Sequence, residues 1–435
     1  MNSRLQAIAF LAVTSLMASS CGGGEDAAPA ASSTTVAVAV ETSVPTTPVA
    51  ADQPLTDSFR GVTSTEIHIG VGIIDASVFG FNTGDGEQQW QVALDAVNEA
   101  GGVHGRLITP TYESYLPVGT IEPEAACTRL VEDLGVFAFL GAVRENNELC
   151  YTELGNTIVV NSNPVTDEVI GRSGGLVFST EPTDLQREFN AIAVLDAAGM
   201  LEGQSLSVRA DPAREGMVEP VTEALEAAGA NVVRSTVRLG QSGDIVAQAN
   251  EGDQALERAV ADGADGIYAI SDQGLTMAGA AERAFSDLPI FSTSVGASTF
   301  LTFGYDLSAI DYVGIGREPY YASYQAGEES IVRCVDRVQA AGQEVSIGVP
   351  DPEVDNLDAS VRICRAVDLF VAIATAAGPD LTNDSFVAAA AMLDDIVMTG
   401  SASASLSAEK PGADNTPFGL LRWDAELLAF RVSDS

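Results

Sequence analysis

Short apolar runs alternate with longer segments of helical periodicity along most of this chain. The first run, residues 66–74 (EIHIGVGII), precedes a stretch in which Trp90, Ala93, Leu94 and Val97 recur at helical spacing. Most of the apolar runs lack the polar alternation of a half-exposed strand, which is typical of strands buried on both faces. The pattern therefore predicts an α/β protein whose parallel sheets are covered by helices.

The alternation occurs in two series. The second begins at Thr183, where the sequence TDLQ has the spacing of a capping box and predicts a helix start. The chain then becomes chiefly helical before it returns to short strands within residues 418–432. Two such series, followed by returning helices and strands, predict two lobes joined by several chain crossings. Further strands are predicted at residues 107–112, 136–140, 157–160, 206–209, 232–237, 266–270, 289–291 and 312–315.

The N-terminus has the pattern of an export signal. Arg4 supplies a positive charge, residues 5–17 are mostly apolar, and three small residues precede Cys21. The apolar run is shorter than the roughly 20 residues of a membrane-spanning helix, so it fits a cleavable signal. It resembles a bacterial lipoprotein signal, which implies that residues 1–20 are removed and that Cys21 is acylated. Ala18 stands where such signals usually have leucine, and a secreted protein with a free cysteine is the alternative.

Residues 21–61 differ in composition from the rest of the chain. They are rich in alanine, serine, threonine and proline, and they have no periodic apolar face. Such a segment cannot bury enough apolar surface to offset the entropy lost on ordering. We therefore predict a disordered tether between the signal and the folded region.

The chain is strongly acidic. It has 61 aspartates and glutamates against 21 lysines and arginines, which gives a formal net charge of −40 at pH 7. This charge repels phosphate backbones and anionic lipid, so nucleic-acid binding and membrane docking through a basic patch are both excluded. Contact with a membrane is expected through the lipid anchor only.

The cysteines suit an oxidising compartment. With one of the five assigned to the anchor, four remain, and they can pair in three ways. We predict Cys127–Cys150 and Cys334–Cys364, because each bond closes a short local loop. The cysteines and the two histidines do not have the spacing of a metal site or of a His-based catalytic centre. We therefore expect no metal, no cofactor and no catalytic residue.

In the order of its segments the chain resembles the type I periplasmic solute-binding proteins of ABC importers, in the branched-chain amino-acid and amide branch. The resemblance implies two Rossmann-like lobes with parallel central sheets and a multi-crossing hinge. It places residues 62–182 and 318–400 in lobe 1, and residues 183–317 and 401–435 in lobe 2. The segments that carry it are residues 69–73 (IGVGI), 97–106 (VNEAGGVHGR), 139–142 (FLGA), 178–186 (FSTEPTDLQ), 229–233 (GANVV) and 418–424 (FGLLRWD).

Candidate ligand contacts lie in the loops that follow the strands, because ligands of open parallel sheets bind beyond the carboxyl ends of the strands. Polar side chains there can hydrogen-bond a solute, and two phenylalanines can line an apolar part of it. The candidates are Ser77, Phe79, Phe81, Arg144, Asn146, Asn161, Ser162 and Asn163 in lobe 1, and Arg214, Glu215, Asp272, Gln273 and Ser294 in lobe 2.

Several candidates have a structural alternative. Arg144 is suited to clamp a carboxylate through two parallel hydrogen bonds, but a surface ion pair with Glu145 or Glu148 is the alternative. Phe79 and Phe81 are equally well explained as core residues. Asn161, Ser162 and Asn163 follow the predicted strand at residues 157–160, and they can equally belong to an ordinary turn.

The resemblance also points to a departure. Amino-acid-binding members of the family carry an acidic residue near the position of Ser294, which holds the ammonium group of the ligand. For this chain to bind a free amino acid, Asp272 or Glu215 has to take that role.

The resemblance implies an extracytoplasmic lipoprotein that captures a small polar solute, such as an amino acid, an amide or an organic acid. Hinge closure around the solute would then be recognised by the permease subunits of an ABC importer. A ligand-sensing receptor without transport is the second hypothesis, because a fold does not establish a function. An exported hydrolase is the third, and it is disfavoured because the sequence contains no GxSxG, HExxH or P-loop motif.

Overall fold

The computed structural model describes residues 54–116, 119–239, 245–347 and 356–433, without the side chains of Phe79, Ile245 and Ser298. The predicted signal, Cys21 and most of the predicted tether lie outside the described residues. Within the described ranges, no helix has both the length and the apolar character that crossing a bilayer demands.

The first sheet has five parallel strands in the order β2-β1-β3-β4-β5 in the described part of the chain. All residues of β3 and β4 are buried, which explains why these strands appear in the sequence as continuous apolar runs. The strands are β1 (Glu66–Ile74), β2 (Leu107–Tyr115), β3 (Ala138–Gly141), β4 (Ile158–Asn161) and β5 (Val177–Ser179).

Among the described residues, three α-helices connect these strands: α1 (Gly86–Glu99), α2 (Ile121–Thr128) and α3 (Asp167–Arg172). As predicted, α1 buries Trp90 and Leu94. The chain turns after α1 at Gly102, which has a φ of +67° and lies too close to the carbonyl of Arg106 to leave room for a Cβ.

The second sheet has seven strands in the order β12-β11-β10-β9-β8-β6-β7 among the described residues. Strands β6 to β10 are parallel, whereas β11 pairs antiparallel with β10 and β12. A short turn suffices to join β11 and β12, since antiparallel neighbours need no crossover helix. The strands are β6 (Ser205–Ala210), β7 (Asn231–Val237), β8 (Gly266–Ala269), β9 (Ile290–Ser292), β10 (Tyr312–Gly316), β11 (Gly419–Asp424) and β12 (Ala429–Val432).

Helices α4 (Asp184–Ala197), α5 (Val218–Ala227), α6 (Ile245–Ala261), α7 (Gln273–Ala284) and α8 (Ala297–Thr302) belong to the second series. The predicted cap is present in part, because the Thr183 side chain accepts a hydrogen bond from the backbone N–H of Gln186 at 3.3 Å.

The remaining helices return to the first sheet. Phe370, Ile373 and Phe386 are fully buried in one apolar core together with Ile69 of β1 and Val160 of β4. We call this body the first lobe and the body around the second sheet the second lobe. The returning helices are α9 (Tyr320–Gln325), α10 (Glu329–Ala340), α11 (Asn356–Ala376) and α12 (Asn383–Ala390).

The packing differs from the predicted domain boundaries at two places. Residues 54–61 were predicted as the end of the tether, but the ring of Phe59 contacts that of Phe137, with their centroids 6.2 Å apart. Residues 401–435 were all assigned to the second lobe, yet Ala404 and Leu406 are buried in the core of the first. The apolar side chains in these two short segments account for both corrections, while the remaining boundaries stay predictions.

Both predicted disulfide bonds are confirmed. Cys127 and Cys150 have an S–S distance of 2.05 Å, and Cys334 and Cys364 one of 2.11 Å. The first bond joins α2 to the π-helical turn Cys150–Leu154, and the second joins α10 to α11. Both lie in the first lobe.

Candidate functional site

Loops beyond the carboxyl ends of the strands of the first sheet contact segments on the corresponding side of the second sheet. Arg144, which follows β3, donates a hydrogen bond from Nη1 to Oδ2 of Asp272, directly before α7, at 3.0 Å. Phe81, which follows β1, places its ring centroid 6.4 Å from that of Phe303, which follows α8. Candidate residues of the first lobe therefore meet the second lobe, and we call the region between these loops the cleft.

The Arg144–Asp272 pair is accessible to solvent, since the two side chains are 49% and 56% exposed. Partial burial acts to raise the pKa of the Asp272 carboxyl, but Arg144, Arg214, Arg187 and Arg238 outweigh it and hold that pKa below its usual value. Asp272 is therefore ionised at neutral pH. The arginines stabilise the charged form of Asp272, although Arg214 is itself paired with Asp184 and Asp211.

Arg214 is held by two carboxylates of its own lobe. Its Nε donates to Asp184 at 2.9 Å and its Nη1 to Asp211 at 2.8 Å. Burial alone would lower the pKa of Arg214, but these two anions raise it well above its ordinary value. This predicted site residue therefore braces the start of α4 against the loop after β6, and its guanidinium is already partly occupied.

Glu188 of α4 holds the loops that follow β8 and β9 in the second lobe. It is fully buried, and it accepts hydrogen bonds from the Tyr268 hydroxyl at 2.8 Å, the Thr293 hydroxyl at 2.9 Å and the Ser271 N–H at 3.2 Å. Burial raises its pKa. The loops after β8 and β9, which carry Asp272 and the predicted Ser294, are thereby fixed to one helix.

Asn161, at the end of β4, has the equivalent supporting role in the first lobe. Its Oδ1 accepts from the N–H groups of Val143 and Asn163, both at 3.0 Å, and its Nδ2 donates to Oε1 of Glu148 at 2.6 Å. Asn161 is therefore occupied inside the lobe and fixes the loop that carries Arg144. Sequence reasoning proposed it as a ligand contact and did not identify this bracing.

Three other candidates also have partners within the first lobe. Asn146 donates to Glu168 at 3.0 Å and accepts from Thr166 at 2.8 Å. The Ser77 hydroxyl donates to Asp75 at 2.6 Å. Ser162 is buried, and its carbonyl accepts a hydrogen bond from Nη1 of Arg362 at 3.1 Å. A solute can bind Asn146 or Ser77 only by displacing or sharing these hydrogen bonds.

The remaining candidates are dispersed. Gln273 is buried, and no described residue provides a partner for its Oε1. The carbonyl of Ser294 accepts from the Tyr312 hydroxyl at 2.7 Å. Glu215 is exposed and lines a groove of about 550 Å³ beside α5 and β7, and neither Arg144 nor Asp272 is among the residues that line it. A second groove, of about 480 Å³, lies beside α12 in the first lobe.

An ion network that the sequence analysis missed joins the chain crossings between the lobes. Glu181 lies on the first crossing in the described chain, Arg317 on the second and Asp414 on the third. Arg317 contacts Glu181 at 2.9 Å and Asp414 at 2.8 Å, and Arg365 of α11 contacts Asp414 at 2.7 Å. Gly412 lies so close to the Glu181 carbonyl that a Cβ there would clash. The hinge is therefore a tightly packed, charged junction.

No protein-family model matches the sequence, and the comparison with curated proteins finds no match. Solved structures do match. A periplasmic binding protein type 1 from Bordetella pertussis Tohama I has a TM-score of 0.63 and 14% identity, covering 85% of this chain and 99% of that one. A solute-binding protein of an ABC transporter from R. palustris, in complex with 4-hydroxybenzoate, has a TM-score of 0.61 and 16% identity, covering 85% and 96%.

A third structure is an ABC transporter substrate-binding protein from Desulfitobacterium hafniense in complex with Leu. It has a TM-score of 0.59 and 13% identity, and it covers 85% of this chain and 100% of that chain. At these identities the likeness shows the fold. The fold is that of the type I periplasmic binding proteins of ABC transporters, as the sequence resemblance implied, with an α/β sheet in each of two lobes.

Proposed function

We propose that this protein is an extracytoplasmic solute-binding protein of an ABC importer, which captures a small polar solute in the cleft between its lobes. The observation that carries the proposal is the Arg144–Asp272 contact at 3.0 Å, which joins loops at the carboxyl ends of both sheets. Ligands of open parallel sheets bind at this edge. The two-lobed fold with a hinge between them supports the same conclusion.

The charge of the cleft favours a solute that carries a carboxylate. Arg144 is half exposed and lies on a loop that Asn161 holds in place. Guanidinium groups bind carboxylates through charge-assisted hydrogen bonds. The structurally similar proteins from R. palustris and D. hafniense were solved with 4-hydroxybenzoate and Leu, and both of these ligands carry a carboxylate.

The solute is captured because it makes more contacts with the protein in the closed arrangement of the lobes than in the open one. A solute that binds both lobes stabilises the closed arrangement, because the closed state alone offers both sets of contacts. The permease subunits of the importer would recognise that closed arrangement. Such a protein performs no chemistry on its solute, so the proposal includes no catalytic residue.

We expect Arg144→Gln to weaken binding of a carboxylate solute by about tenfold, or about 1.4 kcal/mol, because one charge-assisted contact is lost at a half-exposed site. Solutes are first identified by thermal shift over amino acids, amides and aromatic acids, since a ligand at about 100 times its Kd adds about 2.7 kcal/mol. Affinities are then measured by calorimetry.

Arg172→Gln is the matched control, because Arg172 lies in the same lobe, is 50% exposed and is paired with Glu153 and Glu168. It should leave affinity unchanged. If Arg144→Gln binds as tightly as this control, Arg144 is not a contact. If no compound of the panel shifts the unfolding temperature, the proposed function loses its support.

We also propose that Cys21 carries the lipid that holds the protein at the cell membrane. Cys21→Ala is expected to move the protein from the membrane fraction to the soluble fraction, because the acyl chain has no other attachment site in the signal. Fractionation followed by immunoblotting measures this, with Ser20→Ala as a control that keeps the cysteine. Unchanged membrane retention of Cys21→Ala would contradict the anchor.

A further inference from the structure

Positive charge is scarce in this protein, yet several of its arginines act on one carboxylate of the cleft. The chain has 21 lysines and arginines in 435 residues and a net charge of −40. Nevertheless, four arginines (Arg144, Arg187, Arg214 and Arg238) all act on Asp272. A carboxylate at the position of Asp272 is therefore stabilised in its charged form by more than one guanidinium group.

Two of these arginines are committed to structural contacts. Arg214 binds Asp184 and Asp211, and Arg187 donates to the carbonyl of Thr293 at 3.0 Å. Arg144 differs, because Asp272 is its sole hydrogen-bond acceptor among the described residues, through a single N–H group. Since its side chain is 49% exposed, the other N–H groups of the guanidinium can be reached from solvent.

The Asp272 side chain does not stabilise the helix that it precedes. It stands at the N-cap of α7, where an aspartate usually accepts hydrogen bonds from the first backbone N–H groups, but its side chain makes no such bond. Within the described residues, Arg144 is its sole hydrogen-bond donor. The carboxylate can therefore leave Arg144 without breaking a cap.

We propose that Asp272 is an internal competitor for the solute: in the empty cleft its carboxylate occupies Arg144, and the carboxylate of the incoming solute replaces it. The inference rests on the proposed function. A solute that binds the guanidinium through two parallel hydrogen bonds gains more than Asp272 supplies through one. Asp272 thus lowers the affinity for solutes that have to displace it from Arg144 and leaves solutes that do not use Arg144 unaffected, which makes it a specificity-determining residue.

The test uses the mature chain and measures Kd by calorimetry for leucine, 4-hydroxybenzoate and 4-hydroxybenzamide, the last being an uncharged analogue. Asp272→Asn removes the competing charge and keeps the shape, so binding of the carboxylates should tighten about threefold to fivefold, in line with the strength of an exposed ion pair. Binding of the amide should not change. In the Arg144→Gln background, Asp272→Asn should have no effect on the carboxylates.

Asp253→Asn is the matched control, since Asp253 is a second-lobe aspartate that is 42% exposed and paired with Arg283. It should not alter any affinity. Unchanged carboxylate affinity in Asp272→Asn overturns the competitor role but leaves the proposed function intact. Weaker binding of leucine alone also overturns it, because Asp272 would then hold the ammonium group. If neither carboxylate binds any variant, both the inference and the carboxylate-solute proposal fail.

Discussion

Replacement of Arg365 by methionine is expected to lower the free energy of unfolding by about 3–5 kcal/mol, the usual cost of removing one partner from a buried ion pair. Arg365 is fully buried. Its guanidinium donates to the carbonyls of Thr399 at 3.0 Å and Thr180 at 2.6 Å, and to Asp414 at 2.7 Å. Methionine fills part of the volume but donates no hydrogen bond to these three acceptors.

The position of Arg365 also links this loss to the hinge between the lobes. Asp414 is buried, and Arg365 and Arg317 together lower its pKa strongly although burial acts to raise it. Without Arg365, Asp414 keeps Arg317 as its cationic partner. Since Arg365 comes from α11 and Asp414 from the third crossing, the variant also loosens the attachment of the hinge to the first lobe.

Urea unfolding at pH 7, followed by tryptophan fluorescence with the disulfides intact, measures the change. Arg422→Met is the control, because Arg422 is 43% exposed and its contact with Asp311 lies at the surface. The control should lose less than about 1 kcal/mol. An Arg365→Met variant as stable as this control would show that the hinge network adds little to stability.

Most of the fold could be predicted because burial leaves a direct pattern in the sequence. Strands β3 and β4 are covered on both faces, so all their positions before the terminal Asn161 of β4 are apolar or glycine, and continuous apolar runs result. β5, which has three residues, was not among the predicted strands. The antiparallel direction of β11 was not predicted either, since alternation of side chains is the same in both directions.

The site was predicted as a set of separate residues and not as an arrangement. Arg144 and Asp272 were both candidates, but they are 128 positions apart, and their pairing depends on how the lobes meet. Glu181, Arg317 and Asp414 carry no local signal, because isolated charges in an acidic chain look like surface residues. Their burial becomes evident only when three distant crossings are seen to converge.

Glu148→Gln is expected to make the protein more stable than the wild type at pH 8, by about 3 kcal/mol, and to have little effect at pH 5. Glu148 is 2% exposed, and burial raises its pKa to about 7, an effect that the charge of Asp184 reinforces. Glutamine keeps an Oε1 that can accept the hydrogen bond from Asn161 but has no proton to lose.

The sign of this change in stability follows from the pKa of the Glu148 carboxyl in the unfolded chain and in the folded protein. In the unfolded chain the Glu148 carboxyl ionises near its usual pKa of about 4.3, whereas in the folded protein it keeps its proton up to about pH 7. The folded state therefore binds the proton more tightly, and this contribution to stability is complete below about pH 4.3. It is lost as the pH rises through 7, where a buried anion has to form. Glu148→Gln does not lose this stability, because glutamine does not ionise.

The free energy of unfolding of the wild type and the variant is measured in urea between pH 5 and pH 8. Glu153→Gln is the control, because Glu153 lies in the same lobe but is 47% exposed, and it should follow the wild-type pH dependence. If the Glu148→Gln curve runs parallel to the wild type, Glu148 is ionised throughout and has a partner at neutral pH. Asn161 donates to Oε1 of Glu148 and accepts from the N–H of Val143, so a divergence would concern a carboxyl group that lies next to the loop of Arg144.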